Sequence, residues 1–251
     1  MSGHSKWSTI KRKKGALDAK RGKIFSKLAK EVAVAAKSGG GDPDANARLR
    51  TVMMACRAAN MPKDKVEAAI VKGTGGGEGV NYEESRYEGY GAGGVAVIID
   101  VLTDNKNRTV ADIRFALTKN NGSLAENGAV TWNFEPKGFI AISKDACSED
   151  ELFDKAIEAG ADDVRTEGDV YEIITETSEL HTVAEGLESQ GLKLEEAKLT
   201  MLPNTTLEVG VSEARQVLRL IEMLEDNDDV QEVYSNFDIS EDVMAELMAE
   251  A

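Results

Sequence analysis

The sequence predicts an α+β protein with three domains: an N-terminal helical domain, then two ferredoxin-like α/β domains, one inserted in the other. Apolar residues recur with a helical period up to about Gly73, and strand and helix patterns alternate after it. The run Gly73-Thr74-Gly75-Gly76-Gly77-Glu78-Gly79 separates the two patterns and is typical of a flexible linker. A chain of 251 residues is long enough for two or three domains, each with its own core.

The helical domain, residues 1–79, is predicted to contain three helices after a basic arm. Gly39 and its neighbouring glycines end the first helix. Asp42 and Pro43 are predicted to start the second, as its N-cap and its first helical residue. Pro62 starts the third, which ends at Gly73. The predicted apolar face of the first helix comprises Leu17, Ile24, Leu28, Val32 and Ala35.

The inserted domain, residues 136–203, is predicted from the order strand, helix, strand, strand, helix, strand, which is the split βαβ pattern of ferredoxin-like domains. Ser148 and Glu151 match a capping box at the start of the first helix, and Cys147 with Leu152 matches a hydrophobic staple. The predicted elements are strand 138–142, a helix from 148, strands 163–165 and 170–175, helix 180–189 and strand 194–200.

The outer domain is predicted to be discontinuous, combining residues 80–135 with 204–251. Each part reads as one βαβ unit, and the two units are expected to pair across the insertion. Three separate units in series fit the same pattern nearly as well. The predicted elements are strand 95–102, helix 109–119 and strand 129–134, then strand 205–209, helix 212–225 and strand 230–234.

The net charge of −15 is divided unevenly along the chain. Residues 1–75 hold 17 Lys and Arg against six acids, or +11, whereas the remainder holds 13 against 39, or −26. Such asymmetry between two parts of a chain indicates a basic region that binds a polyanion. The sequence therefore predicts that the helical domain contacts nucleic acid, either DNA or ribosomal RNA.

The candidate contacts lie in the arm, residues 1–14, and on the first helix. The arm combines cations with a tryptophan, so it offers both phosphate neutralisation and a ring for base stacking. Four lysines of the helix are spaced as one stripe, away from its apolar face. A solvated helix face and a tryptophan that packs on its own domain would explain the same residues. The candidates are His4, Lys6, Trp7, Lys11, Arg12, Lys13, Lys14, Lys20, Arg21, Lys23, Lys27 and Lys30.

A second candidate contact is a loop between a strand and a helix of the acidic outer domain. Asn105, Lys106 and Arg108 place two cations and a polar amide at this point. The asparagine is equally well explained as a cap of the following helix. The sequence leaves the two interpretations open.

The sequence offers no catalytic residue, metal site or cofactor motif. Gly89 to Gly94 matches GxGxxG but precedes a strand, so a tight turn is the better interpretation. The two histidines, His4 and His181, cannot form a catalytic triad or a two-histidine metal site. No apolar run reaches the length of a membrane span. We expect no cofactor, no small-molecule ligand and no membrane contact.

Seven segments of the chain carry a resemblance to a known family: Gly3-His4-Ser5-Lys6-Trp7, Asp18-Ala19-Lys20-Arg21-Gly22-Lys23-Ile24-Phe25, Gly39-Gly40-Gly41-Asp42-Pro43, Asn60-Met61-Pro62-Lys63, Tyr87-Glu88-Gly89-Tyr90-Gly91, Thr103-Asp104-Asn105 and Asp226-Asn227-Asp228-Asp229-Val230. These segments resemble the YebC family, and the resemblance runs from end to end. One departure is Arg12, where the family often has histidine, which removes a residue that could respond to pH.

This resemblance implies three domains, one helical and two α/β, in a cytoplasmic bacterial protein without enzymatic activity. Members of the family are commonly labelled probable DNA-binding transcriptional regulators. Other members act on the ribosome, and mitochondrial relatives are translational activators. We therefore expect a nucleic-acid-binding regulator of gene expression, with a ribosome-associated translation factor as the alternative.

Two further classes of function remain open at the level of sequence. In the first, the protein is an interaction scaffold whose basic domain binds an acidic protein, and it would purify without absorbance from nucleic acid. In the second, it is a metal-dependent enzyme that uses the acidic cluster near Asp226, and divalent ions would raise its melting temperature. A solvated helix end is the simpler explanation of that cluster.

Overall fold

The computed structural model describes residues 17–75, 82–166 and 170–249, with side chains of the first helix described from Gly22 onward. The helices are α1 (Leu17–Gly39), α2 (Ala47–Ala58), α3 (Lys63–Thr74), α4 (Lys106–Lys119), α5 (Glu149–Ala159), α6 (Leu180–Ser189), α7 (Val211–Glu225) and α8 (Glu241–Ala249). The strands are β1 (Glu83–Tyr90), β2 (Ala96–Thr103), β3 (Ser123–Ala125), β4 (Phe134–Ser143), β5 (Asp163–Arg165), β6 (Val170–Thr175), β7 (Leu194–Pro203), β8 (Leu207–Glu208), β9 (Val230–Ser235) and β10 (Phe237–Asp238).

The predicted α+β class is confirmed: helices come first, and antiparallel sheets follow. Packing groups the described chain into two compact units. One unit joins residues 82–135 to 201–249, and the other joins 18–75 to 136–200. The division into three domains at residues 79, 135 and 203 stays a prediction, and the names helical, inserted and outer domain are kept for these parts.

The helical domain is held together by a small apolar core and by one buried amide. The side chain of Asn46 donates to the carbonyl oxygens of Ala35 and Gly40, each at 2.8 Å, and accepts from the backbone nitrogen of Leu49 at 3.0 Å. Asn46 therefore joins the end of α1 to the start of α2. The core consists of Val32, Ala35, Leu49, Val52, Cys56, Met61, Val66 and Ala69.

Two details of the predicted helical domain are wrong. Asp42 does not cap α2, because its carboxylate accepts from the backbone nitrogen of Asp44 at 3.0 Å in a turn, and Asn46 is the N-cap. Ile24, assigned to the apolar face of α1, is 48% exposed. Burial, and then the charge of Glu31, raises the pKa of the Cys56 thiol to about 11, which keeps it protonated as a packing group.

The inserted domain has the predicted order of elements, and its sheet has the strand order β5-β6-β4-β7. The hydroxyl oxygen of Ser148 accepts from the backbone nitrogen of Glu151 at 3.3 Å, as expected of a capping box. Gly138 pairs with Thr175 across β4 and β6, and a Cβ at Gly138 would lie 2.2 Å from the hydroxyl oxygen of Thr175. A larger residue at position 138 would therefore separate the two central strands.

The outer domain has a four-stranded antiparallel sheet with the order β3-β1-β2-β9. Helices α4 and α7 cover the face that carries Val97, Ile99 and Val101. A smaller cluster, which includes Ile98 and Phe134, packs on the opposite face. The predicted turn between β1 and β2 is confirmed, with left-handed backbone at Gly93 and Gly94.

Two strand predictions for the outer domain are wrong, and three strands of this domain, β1, β3 and β10, were not predicted. Strand β1 was missed because its sequence, EESRYEGY, lacks an apolar alternation. The predicted strand 205–209 is reduced to β8, which pairs with β10 in a separate small sheet, so β8, α7 and β9 do not form a βαβ unit. Residues 131–133 of the predicted strand 129–134 form a short 3-10 helix instead.

The carboxylate of Glu88 explains why residues 129–133 do not form a strand. It lies buried, with 4% of the residue exposed, and accepts from the backbone nitrogens of Gly128 at 2.7 Å, Val130 at 2.7 Å and Thr131 at 3.0 Å. In a strand, such backbone amides would donate hydrogen bonds to a neighbouring strand, but here they donate to the carboxylate of Glu88. Burial alone would raise the pKa of Glu88, but the three amides outweigh it and lower the pKa to about 2.

We expect the Glu88→Gln variant to be less stable than the wild type by about 2 to 3 kcal/mol at pH 7, because glutamine leaves some of these amides without an acceptor. A carboxylate whose pKa falls on folding stabilises the protein above its unfolded pKa, here near 4.5. The difference between the two proteins should therefore shrink as the pH falls from 4.5 towards 2, measured by urea unfolding at several pH values.

Glu126→Gln is the matched control, because Glu126 is an exposed acid of the same loop. This control should change the free energy of unfolding by less than about 0.5 kcal/mol. Equal stability of Glu88→Gln and wild type at pH 7 would contradict the role assigned to Glu88.

Candidate nucleic-acid interface

The predicted nucleic-acid contacts are only partly covered by the structure. The candidates of the arm lie outside the described residues: His4, Lys6, Trp7, Lys11, Arg12, Lys13 and Lys14. Lys20 and Arg21 belong to α1, but their side chains are not among those described. Lys23, Lys27 and Lys30 are the candidates whose side chains the structure places on this helix.

These three lysines follow one side of α1 beside its packed face. Val32 and Ala35 are fully buried in the core of the helical domain, whereas Lys23 is exposed and Lys27 and Lys30 are half-buried. Half-buried lysines pack their methylene groups on the domain and keep the ammonium group near the surface. Lys23 and Lys30 lie about 10 Å apart along the helix axis, which equals roughly three base-pair steps measured along the axis of a duplex.

Lys65 adds a cation that the sequence analysis did not identify. Its ammonium nitrogen lies 5.3 Å from the centre of the Phe25 ring, so α3 brings a positive charge against α1. The available signal was the pair Lys63 and Lys65 after Pro62. Linking that pair to α1 required the fold, because Phe25 and Lys65 are 40 positions apart in the sequence.

A cleft of about 210 Å³ lies between α2 of the helical domain and the inserted domain. Arg50 and Arg57 from α2 line one side, and His181 from α6 and Lys193 line the other. The imidazole Nε2 of His181 and the hydroxyl of Thr51 are 2.9 Å apart and form a hydrogen bond. Burial, followed by the charge of Arg50, lowers the pKa of His181 and so favours the neutral imidazole. This hydrogen bond joins the two domains of the unit.

The second candidate contact is engaged within the outer domain. The side chain of Asn105 accepts from the backbone nitrogen of Arg108 at 3.1 Å, which makes it the N-cap of α4. The ammonium nitrogen of Lys106 lies 2.6 Å from a carboxylate oxygen of Glu83. The guanidinium of Arg108 binds Asp104 at 2.9 Å and Asp229 at 2.6 Å. About half of the Lys106 and Arg108 side chains stays exposed, so a role in binding remains a prediction.

Asp229 is the centre of this arrangement. Besides Arg108, its buried carboxylate accepts from the hydroxyls of Thr103 at 3.1 Å and Thr109 at 2.9 Å. Burial would raise the pKa of Asp229, but these donors, with Arg108 the strongest, hold the pKa below its usual value. The carboxylate thereby joins the end of β2 and the first turn of α4 to the start of β9.

We expect Asp229→Asn to lower the free energy of unfolding by about 2 kcal/mol at pH 7, since an amide cannot pair with the guanidinium and satisfies fewer donors. The pKa of the carboxylate is lower in the folded state. Its contribution is therefore present above the unfolded pKa and is lost as the pH falls through the folded pKa. Urea unfolding should show the gap between the two proteins closing at acid pH.

Asp228→Asn removes a neighbouring exposed acid and serves as the control for Asp229→Asn. Neither variant should change the affinity for nucleic acid when it is measured at a temperature at which both variants are folded. A loss of affinity in Asp229→Asn without a loss of stability would show that this loop acts in binding rather than in holding the fold.

The described residues also bear on two other kinds of site, a membrane span and a metal site. In residues 17–75, 82–166 and 170–249, no helix has both the length and the hydropathy needed to span a membrane. Over the same ranges, no three His, Cys, Asp or Glu side chains lie close enough together to hold a metal ion.

Comparison with known proteins gives matches along nearly the whole chain. The family model described as the TACO1/YebC protein N-terminal domain matches residues 5–76, and the model described as the TACO1/YebC second and third domain matches residues 82–237. A protein of Geobacter sp. (strain M21) named "probable transcriptional regulatory protein" is 55% identical over 248 residues, which is 99% of this chain and 100% of the relative.

A relative of the same name from Desulfatibacillum aliphaticivorans is 56% identical over 246 residues, covering 98% of this chain and 100% of its own. A crystal structure of a conserved hypothetical protein from Aquifex aeolicus is also similar, with a TM-score of 0.84 and 45% identity. That match covers 90% of this chain and 93% of the Aquifex chain.

Proposed function

Since the chain belongs to the TACO1/YebC family, we propose that it is a nucleic-acid-binding regulator of gene expression whose helical domain and arm contact the phosphate backbone. Relatives that match over their full length carry the name probable transcriptional regulatory protein. In this proposal the protein carries out no catalysis. The arm and α1 bind, and the acidic domains orient the protein or meet a second partner.

The observation that carries the proposal is the separation of charge along the chain. Residues 1–75 have a net charge of +11 in a protein whose total is −15. Residues 1–21 alone hold seven Lys and Arg against one acid, Asp18, so more than half of that excess lies in the arm and the first turns of α1. A local potential of this kind attracts a polyanion even when the net charge of the protein is negative.

The described part of the helical domain adds further cations. Lys23, Lys27 and Lys30 follow one side of α1, and the ammonium group of Lys65 lies against the ring of Phe25 on the same helix. Lysine binds phosphate as a point charge without reading base edges. We therefore expect affinity that depends strongly on salt and weakly on sequence.

Replacing Lys11, Lys13 and Lys14 by Glu should weaken binding and flatten its dependence on salt. If the arm and α1 neutralise about five to eight phosphates, the affinity of the wild type should fall by roughly two to four orders of magnitude between about 50 and 200 mM salt, and less for a single strand. Fluorescence anisotropy of a labelled oligonucleotide at several salt concentrations measures both quantities.

The matched control replaces Lys37, Lys63 and Lys72 by Glu, which makes the same change in net charge on other parts of the helical domain. This control should reduce affinity less than the arm variant does. The proposal would be contradicted if the affinity did not depend on salt, or if the arm variant, with Lys11, Lys13 and Lys14 replaced by Glu, bound like the wild type.

A second candidate function, in translation on the ribosome, is favoured by the position of the inserted domain. Residues 136–200 carry six Lys and Arg against 17 acids, a net charge of −11, and this domain packs on α2 of the basic helical domain. Within a Debye length, about 8 Å at physiological salt, the acidic domain repels a long duplex that approaches broadside. Ribosomal RNA beside basic ribosomal proteins presents phosphate without such a long uniform surface.

A direct comparison separates the two candidates. Binding to a promoter fragment, a random duplex and purified ribosomes is measured at one salt concentration, with the arm variant as the control for each. We expect tighter binding to ribosomes than to either duplex. Discrimination of one DNA sequence from random duplex by more than about 10³-fold, without ribosome binding, would instead establish transcriptional regulation through DNA.

A further inference from the structure

Trp132 of the outer domain is an exposed aromatic residue with no role in the nucleic-acid interface described above. It is 75% exposed, whereas Val130 and Phe134 on either side of it are buried. A tryptophan side chain carries a large apolar surface, and burying it against a partner is strongly favourable. Exposed tryptophan in a well-ordered segment therefore marks a candidate docking surface.

The backbone that carries Trp132 is fixed on both sides. Before it, the amide of Thr131 donates to the buried carboxylate of Glu88 at 3.0 Å. After it, the side chain of Asn133 donates to the carbonyl of Thr205 at 2.9 Å and accepts from the amide of Thr205 at 2.9 Å. Because the backbone on both sides of Trp132 is already fixed, binding of a partner to this side chain costs little backbone entropy.

The polar atoms of the exposed rings are already bonded within the protein. The indole nitrogen of Trp132 donates to the carbonyl of Ala129 at 2.9 Å, and the hydroxyl of Tyr90 donates to the same carbonyl at 3.3 Å. Tyr90 is 38% exposed, so two aromatic side chains converge on one loop. What this aromatic pair offers to a partner is ring surface rather than hydrogen-bonding groups.

The charge of the outer domain favours a positively charged partner for the aromatic pair. Between Lys119 and Lys137 the chain contains two acids, Glu126 and Glu135, and no further Lys or Arg. The outer domain, taken as 80–135 and 201–251, contains seven Lys and Arg against 21 acids, a net charge of −14. Lys and Arg side chains bind the faces of tryptophan and tyrosine rings, and Arg most often. We propose that Trp132 and Tyr90 form a docking surface for a basic segment of another protein, with Arg or Lys side chains on the ring faces.

Nucleic acid fits this surface less well than a basic segment does. A base could stack on Trp132, but the net charge of −14 on the outer domain would repel the phosphates on either side of the base. Phe115, another exposed aromatic residue of the outer domain, differs because Lys119 already lies 5.6 Å from the centre of its ring. Phe115 therefore provides a comparison residue whose cation comes from the protein itself.

The test is calorimetric titration of the full-length protein with a peptide of ten arginines, at about 0.15 M salt to screen long-range attraction. Trp132→Ala should raise the dissociation constant of the peptide by roughly three- to thirty-fold, and Trp132→Phe, which keeps a ring, should raise it less. Phe115→Ala should leave it within about twofold of the wild type. Because Trp132 is exposed, thermal unfolding of the variants should coincide with that of the wild type.

Each other outcome counts against the proposal. If the peptide does not bind, or binds Trp132→Ala as tightly as the wild type, the aromatic pair is not a docking surface for basic segments. A parallel titration with an RNA of ten uridines tests whether the surface binds nucleic acid instead. If Trp132→Ala weakens binding of the RNA but not of the peptide, Trp132 stacks on a base and the proposed partner is wrong.

Discussion

The outer domain depends on joining the two separate parts of the chain that form it, through pairing of β2 with β9 and through contacts such as those of Asn133. The side chain of Asn133 makes two hydrogen bonds to Thr205, and its carbonyl accepts from the amide of Asn204 at 2.7 Å. Residues 133 and 205 are 72 positions apart, and closing a flexible loop of that length costs on the order of 4 kcal/mol. Three hydrogen bonds of about 1 kcal/mol each offset most of this cost. Pairing of β2 with β9 and burial of Phe134 and Met201 in one cluster stabilise the same closure.

Two buried carboxylates then fix the surfaces that the outer domain presents. Glu88 binds three amides and so determines the path of the loop that carries Trp132. Asp229 binds two hydroxyls and a guanidinium and so fixes the start of α4 with its exposed cations. In each case the donors stabilise the ionised form, because they outweigh the desolvation of the carboxylate. A buried charge that is fully bonded in this way specifies one local geometry.

The distribution of charge favours different partners for the basic and the acidic parts of the chain. A basic arm and helix attract phosphate, whereas the acidic domains attract cations and repel a long duplex. A target that presents RNA and basic protein together satisfies both requirements at once. The proposed nucleic-acid interface and the aromatic pair of Trp132 and Tyr90 are thus chemically complementary to different components of such a target.

The sequence by itself determined helices α1 to α7, the ferredoxin-like order of the inserted domain and the segregation of charge, whereas α8 was not predicted. These features follow from periodicity, capping residues and composition, all of which act between near neighbours in the chain. Helix 180–189 was predicted with its observed ends because apolar periodicity and flanking polar residues agree there. The stripe of Lys23, Lys27 and Lys30 was likewise predictable, since helical spacing alone places these residues on one side.

Only the tertiary structure decided the path of residues 126–135 and the bonding of Arg108. The segment from Ala129 to Phe134 has the composition of a strand, yet its amides bind Glu88, whose side chain lies about 40 positions earlier in the sequence. Arg108 resembles a free cation in the sequence, but its partner Asp229 is 121 positions away. Local patterns carry no information about such distant partners, because they meet only when the sheet and its helices have packed.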